Sequence, residues 1–463
     1  MAHAPTPLNP LQTVHSAFSP NSAGHLANSR RILELLIGPI HSREFGVRWW
    51  DGSTDHPSRE PRFTLLILRP GALRRMLLLP TELNLAEAFI QRDFDVEGSL
   101  ELALNLEDVF RKARNVQTLT RMLSLLNTLP TNDLPAEAKV RRPSVKRSGF
   151  VHSPEQDAKD VQAHYDLGND FFGLFLDSGM NYSCAYFEYG SEDLETAQEK
   201  KLELICRKLR LLPGERLLDI GCGWGGLVLH AARRYGVHAT GITLSEQQAS
   251  LARVRVRAAG LEEQISIEVR DYRELNQQAR FDKIVSVGMV EHVGRPNMHR
   301  YMIEAYRLLE PGGVFLCHGI IESRPTLPPL LRLWESLTWR RSSFLHHYIF
   351  PGGEVLYPSE MIQAAEAAGF ETRDLENLRE HYAMTARAWW QRLESHQDEA
   401  IRLVGESTYR AYRLYLSAVI RTFERRVNGV CQYLFSRTLE NGRCRMPTNR
   451  NDWYARPLGG GTG

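Results

Sequence analysis

Leu217-Leu218-Asp219-Ile220-Gly221-Cys222-Gly223-Trp224-Gly225-Gly226 is an apolar strand that runs into a glycine-rich turn and then a helix. Gly221 and Gly223 carry no Cβ, so the turn can be tight and a ligand can approach the backbone. The sequence around it alternates. Strands are predicted at 216–220, 238–243, 265–269, 281–287 and 313–318, with helices around 226–235, 245–258 and 298–309. This rhythm predicts an α/β fold, a mainly parallel sheet with helices on both faces. The turn then lies at the carboxyl end of the first strand, where open sheets bind ligands. Upstream, Ser191 is expected to cap a helix with Glu192 and Asp193 in its first turn and an apolar stripe through Leu202, Ile205, Cys206 and Leu209. Downstream, 383–440 reads as long helices rich in Arg, Tyr and Leu.

The ligand class follows from what surrounds the turn. A dinucleotide site wants an acid about 20 residues on, for the ribose hydroxyls. Here the second strand ends Gly241-Ile242-Thr243-Leu244-Ser245, which disfavours a dehydrogenase, and the Gly-Lys-Ser/Thr of a P-loop is absent. The acid instead precedes the turn, at Asp219. That pattern resembles the turn of S-adenosylmethionine-dependent methyltransferases, whose cofactor is cationic and carries no phosphate. Arg270 and Asp271, after the third strand, sit where an acid can reach an adenine amine, or where an ordinary solvated loop residue would sit.

Composition bounds the rest. The chain has 463 residues, 43% apolar and 24% charged, which excludes a disordered chain, a collagen-like fibre and a disulfide-dense miniprotein. The net charge of +2 gives no reason to expect nucleic acid, but it conceals an asymmetry. Residues 1–150 are net +4, 151–400 net −9 and 401–463 net +7. Solvated faces account for this equally with chain ends that meet an anionic surface. Cysteines at 184, 206, 222, 317, 431 and 444 form no CxxC pair and suit a reducing compartment. No metal site is expected, no signal peptide is read at the N-terminus, and no apolar run approaches the ~20 residues of a membrane span. Along the chain, 1–25 reads as a flexible leader and 26–130 as a small α+β unit with a strand at 63–68. A basic linker follows at 131–157, carrying Lys139, Arg141, Arg142, Lys146 and Arg147, then an α/β unit at 158–445 and a flexible tail at 446–463.

Five strings in order resemble the cyclopropane-fatty-acyl-phospholipid synthase family, which includes the mycolic acid cyclopropane synthases. They are Ala163-His164-Tyr165-Asp166-Leu167-Gly168-Asn169-Asp170-Phe171-Phe172, Asn181-Tyr182-Ser183-Cys184-Ala185-Tyr186-Phe187, the glycine turn itself, Val287-Gly288-Met289-Val290-Glu291-His292-Val293-Gly294, and Tyr348-Ile349-Phe350-Pro351-Gly352-Gly353. The resemblance implies a Rossmann-like class I methyltransferase sheet with helical additions, and a smaller N-terminal lipid-facing domain. It also implies transfer of a methylene carbon from S-adenosylmethionine to a cis double bond of an acyl chain of membrane phospholipid, closing a cyclopropane. An unactivated alkene must be held in near-attack geometry. Its carbocation needs a dry site, aromatic faces and a base beside the transferred methyl.

In the family that base resembles a bound bicarbonate. The matching positions are Cys184, Glu291, His318, the backbone at Ile320, and Tyr382. Tyr, His, Cys and a backbone N–H are donors suited to a small anion. Glu291 is the odd member, either protonated or orienting His318. The cofactor pattern carries over onto Tyr182, Ser183, Asp219, Gly221, Gly223, Gly225, Thr243, Leu244, Gln248, Arg270 and Asp271, and the acyl cavity onto Tyr348 and Phe350. One departure stands at Val419, where some members carry a cysteine. The resemblance implies a cytoplasmic protein held peripherally on the inner face of an anionic bilayer, and it leaves a homodimer open. Two other readings remain: the same alkene methylation ending in a methyl-branched, methylene or hydroxylated chain, and a lipid-binding scaffold with an inactive methyltransferase fold.

Overall fold

The computed structural model describes residues 22–106, 115–133, 156, 159, 165, 167–276, 278–323, 343–350 and 352–454. The basic positions 139–147, and parts of the first and last of the five strings, lie outside them. The chain divides into two compact units, Met1–Val140 and Arg141–Gly463.

The first unit has four strands: β1 (Gly46–Arg48), β2 (Thr54–Asp55), β3 (Phe63–Ile67) and β4 (Phe94–Gly98), in the order β2-β1-β3-β4. The helix Ser22–Ile37 buries Ile32, Leu33 and Leu36 and packs on the helix Val116–Asn127. The expected leader is therefore shortened, because 22–25 already belong to that helix. At the other end Asp133 accepts from Gly71 N at 2.6 Å and pairs with Arg75, which also holds fully buried Asp93. Residues 131–133 thus belong to this unit rather than to a linker.

The second unit carries seven strands: β5 (Arg216–Ile220), β6 (His238–Thr243), β7 (Ile265–Val269), β8 (Phe281–Val287), β9 (Leu309–Glu322), β10 (Glu371–Asn377) and β11 (Asn428–Ser436). Their order is β10-β11-β9-β8-β5-β6-β7, parallel from β9 to β7. Pleating sends Leu217 to one apolar layer, with Val228, Ala249 and Leu316. It sends Leu218 and Ile220 to the other, with Tyr301, Phe315 and Tyr433. Succession runs outward from β5 through β6 to β7, then restarts on the other side at β8. The switch point between β5 and β8 opens a crevice at the strands' carboxyl ends.

Three expectations need correction, and one strand went unread. The stretch 383–440 is not all helix. Helices Arg379–Ser395, Gln397–Val404 and Glu406–Glu424 are followed by β11, antiparallel between β9 and β10. From Gly429 onward β11 is buried on both faces, so it shows no alternation to betray it. β10 is a charged edge strand, and its polarity hid it. Ser191 does not cap the next helix: Leu194–Leu209 is capped by Asp193, which accepts from Thr196 N at 2.8 Å. The tail is not wholly free, because Trp453, in the short helix Asn451–Tyr454, is buried against the core. Among the described residues, no helix is long and apolar enough to cross a membrane.

Candidate functional site

The glycine turn is built by left-handed backbone. Gly221, Gly223 and Gly225 take φ of 84°, 53° and 81°. At Gly221 a Cβ would also meet Met289 Cβ at 2.9 Å, so the side-chain-free turn lets the β5 and β8 ends approach. The crevice beside it is lined by Tyr182, Ser183, Asp219, Gly221, Gly223, Thr243, Leu244, Gln248, Arg270 and Asp271. Ten of the eleven expected cofactor positions therefore share one cleft. Gly225 stands just behind them, starting the helix Gly226–Tyr235.

Each wall has its own chemistry. Thr243 Oγ donates to Gln248 Oε1 at 2.8 Å, and both side chains are buried. Ser245 holds the next helix by accepting from Gln248 N. The pair is an organised partner for hydroxyl groups, in place of the acid that a dinucleotide site would use. Asp271 is not free to reach outward: Arg273 grips both its oxygens, at 2.8 and 2.6 Å. Arg270 pairs with Glu268 at 3.0 Å.

Asp219 is buried, and burial lifts its carboxyl to about 7, with Lys201 as the opposing charge. Burial lowers the Lys201 ammonium to about 8, and it donates to Ser183 Oγ at 3.0 Å. An under-compensated buried acid is where a cationic ligand is favourable, and an ammonium in the same cleft suits a carboxylate. The donor set thus fits S-adenosylmethionine, whose amino-acid end carries both charges.

The other expected group is brought together in the protein interior and does not line that cleft. The segment 184–187 is pinned to the helix Arg379–Ser395: Ala185 N donates to Thr385 Oγ and Phe187 N to His381 Nδ1, both at 3.0 Å. This sets Cys184 near Tyr382, each buried and each with its acidity suppressed by burial. The Cys184 thiol is therefore neutral and points to no nucleophile. Glu291, just beyond β8, accepts from the Ile320 N–H at 2.7 Å through Oε1, while Oε2 is buried without a partner. Burial pushes this carboxyl to about 7. The Ile320 donor is thus spent on Glu291. His318 is oriented by Gln432 and not by Glu291: Gln432 Nε2 lies 3.2 Å from Nδ1, and Nε2 of the ring is buried and unpartnered. Burial, then the charges of Lys201 and Lys208, lower the imidazole to about 3, so it is neutral.

Of the two cavity positions, Phe350 packs edge-on to Tyr415 at 5.6 Å, and Tyr415 OH meets Tyr182 OH at 3.2 Å. Tyr348 packs on Phe344 instead. Sequence reasoning missed Lys201, Lys208, Gln432, Tyr165 and Tyr415. Tyr165 lines the cleft, and burial raises its hydroxyl to about 12. A signal existed for the lysines. Gln198, Lys201 and Lys208 fall at helical spacing among Leu194, Ala197, Leu202, Ile205 and Leu209, on the face that is buried. Charged groups on a core-facing stripe mark paired or functional positions.

A family model described as mycolic acid cyclopropane synthetase matches residues 152–433. A probable fatty acid methyltransferase of Pseudomonas putida is 36% identical over 408 residues, covering 88% of this chain and 95% of its own length. The cyclopropane-fatty-acyl-phospholipid synthase of Escherichia coli K12 is 40% identical over 279 residues, 60% of this chain and 68% of its own. Among solved structures, mycolic acid cyclopropane synthase CmaA1 complexed with SAH and CTAB is 35% identical. It covers 60% of this chain and 98% of that one, with a TM-score of 0.56.

Proposed function

Because the chain belongs to the mycolic acid cyclopropane synthetase family, we propose that it moves a methylene carbon from S-adenosylmethionine onto a cis double bond of a phospholipid acyl chain and closes a cyclopropane. The coarser level stands on its own: this is an S-adenosylmethionine-dependent methyltransferase of the cyclopropane fatty acyl synthase type, acting on fatty acids. When bound, the cofactor supplies an electrophilic methyl on a sulfonium. The chain's part is to hold it with the 219–225 turn, the Thr243–Gln248 pair and the Asp219 and Lys201 charges.

The observation that carries the ring-closing reading is the pair of orphaned polar atoms, Glu291 Oε2 and His318 Nε2. Buried polar atoms without partners are costly and call for an explanation. With Glu291 protonated and His318 neutral, both present donors, a set that fits bicarbonate. When bound, that ion supplies the base for the transferred methyl. Cys184 and Tyr382 add a neutral thiol, directed at the Ala185 and Leu378 carbonyls, and a neutral phenol, neither of which repels it. Phe172, Phe175, Trp389 and Tyr412 enclose Tyr182 at centroid distances of 5.1–6.3 Å or pack on one another around it, which keeps that wall apolar.

Phospholipid rather than a carrier-bound chain is favoured by the presence of the first unit, for which the family resemblance implies a lipid-facing role. The Lys139–Arg147 cluster supports this, since basic residues near an anionic leaflet each add ~1 kcal/mol. A second reading is favoured by one specific observation. The Pseudomonas putida relative, whose match spans 88% of this chain, is named a fatty acid methyltransferase. On that reading the methylated chain ends methyl-branched or with an exocyclic methylene. Incubation of the protein with S-adenosylmethionine and vesicles of unsaturated phosphatidylglycerol, followed by mass spectrometry and NMR of the released acids, separates the two. A gain of CH2 without a ring overturns the first reading.

A further inference from the structure

We infer that Lys208 and Gln432 are positioning residues which lock His318 in the tautomer that carries its proton on Nε2. The inference deepens the proposed reading, because that N–H is one of the two donors offered to the anion.

The argument starts from what each group can do. Lys208 lies on the buried face of the helix Leu194–Leu209, with its ammonium paired to Glu376 and donating to Gln432 Oε1 at 2.8 Å. An ammonium has donors only. The Gln432 carboxamide must therefore turn its oxygen to Lys208, which leaves its NH2 facing the other way. What it faces is His318 Nδ1, at 3.2 Å. An amide N–H can only donate, so Nδ1 is the ring's acceptor and the proton of the neutral imidazole sits on Nε2.

The register makes the arrangement unavoidable. Gln432 and His318 are direct cross-strand partners in the β11–β9 pairing. Both are buried, as is Lys208, so bulk solvent does not reach these positions. The chain Glu376–Lys208–Gln432–His318 thus runs from the β10 edge strand to the site and sets a proton position by the direction of its hydrogen bonds. This use of Lys208 also explains a buried lysine in the core of a sheet–helix interface, where an apolar residue would pack at lower cost.

The test is 15N NMR of protein labelled at histidine, with the His318 signals identified by their loss in His318→Asn. Wild type should show Nε2 protonated and Nδ1 bare. Gln432→Glu replaces the donor by an acceptor, so the ring should invert to the Nδ1–H form. Turnover on unsaturated phospholipid vesicles should then fall at least about 100-fold, while calorimetric affinity for S-adenosylhomocysteine stays within about threefold. Lys208→Arg keeps a cationic donor and should keep the wild-type tautomer. Nδ1–H in the wild type, or an unchanged tautomer in Gln432→Glu, overturns the inference. If Gln432→Glu fails to fold, Gln432→Met takes its place: loss of the donor should leave a mixture of the two tautomers, and an unchanged tautomer overturns the inference. If wild type forms no cyclopropane, the proposed function falls while the tautomer measurement stands.

Discussion

The Ile320 backbone N–H donates to Glu291 Oε1 at 2.7 Å, and the other oxygen of that carboxyl is buried without a partner. The geometry ties the end of β8 to β9 and leaves one oxygen for chemistry. Glu291→Gln keeps the shape and an acceptor for Ile320 but removes the ionisable proton. Affinity for S-adenosylhomocysteine should be unchanged, and turnover should stay within about tenfold, because the Gln amide N–H replaces the donor of the protonated carboxyl, whereas Glu291→Leu, which removes that donor, should lose at least about 100-fold. Calorimetry and label transfer measure the two separately.

The same burial gives a pH signature in stability. Glu291 is raised from an ordinary 4.5 to about 7. Its folded form binds a proton that the unfolded chain has released, so its contribution is lost as pH rises through that window. His318 runs the other way. It is lowered from 6.5 to about 3, so its contribution is full above 6.5 and lost as pH falls toward 3. Thermal melts of wild type against Glu291→Gln should diverge in favour of the variant as pH climbs from 4.5 to 7. Melts against His318→Gln should diverge in favour of that variant as pH drops below 6.5.

Gly221 is left-handed, with Met289 in the space a Cβ would take. Gly221→Ala incurs about 1–2 kcal/mol of backbone strain and pushes Met289 from its place in the cleft wall. Both melting temperature and S-adenosylhomocysteine affinity should fall. Gly223→Ala has no such neighbour within 4 Å and should cost backbone strain without displacing Met289.

Asp219 and Lys201 are buried; Lys201 is the charge that opposes Asp219, while the Lys201 ammonium is opposed first by Asp177, then by Cys184 and Asp219. Lys201→Met removes the charge that opposes Asp219, so the carboxyl should be pushed further up and stability should fall most where pH favours its ionised form. Adding Asp219→Asn should recover much of that loss. Denaturant melts of the four proteins form a double-mutant cycle, and a coupling near zero would separate the two residues.

Most of the central sheet was legible because its strands alternate with helices and end in punctuating turns. β5, β6, β7 and β8 fall where the pattern put them, and the glycine turn marked the cleft. What escaped did so for physical reasons. β11 is buried on both faces and carries no period, and β10 is polar because it is an edge. With β11 unread, Gln432 could not be seen beside His318, since that contact exists only through strand pairing. The wall of the cleft was readable from local strings, whereas the Lys201–Ser183 and Lys208–Gln432–His318 contacts join residues far apart in the chain. Glu291 illustrates the limit: its position was evident, but its partner is a main-chain N–H, and backbone donors leave no mark in a sequence.

The central claim is ring closure, and the fate of the transferred carbon decides it. The protein is incubated with S-adenosylmethionine carrying a 13C-labelled, trideuterated methyl group and with unsaturated phospholipid vesicles, and the acids are examined by NMR and mass spectrometry. The account predicts the label in a cyclopropane methylene that has kept two of its three deuterons, the third having left with the base. Label in a methyl branch that keeps all three, or in an exocyclic alkene carbon, would contradict it.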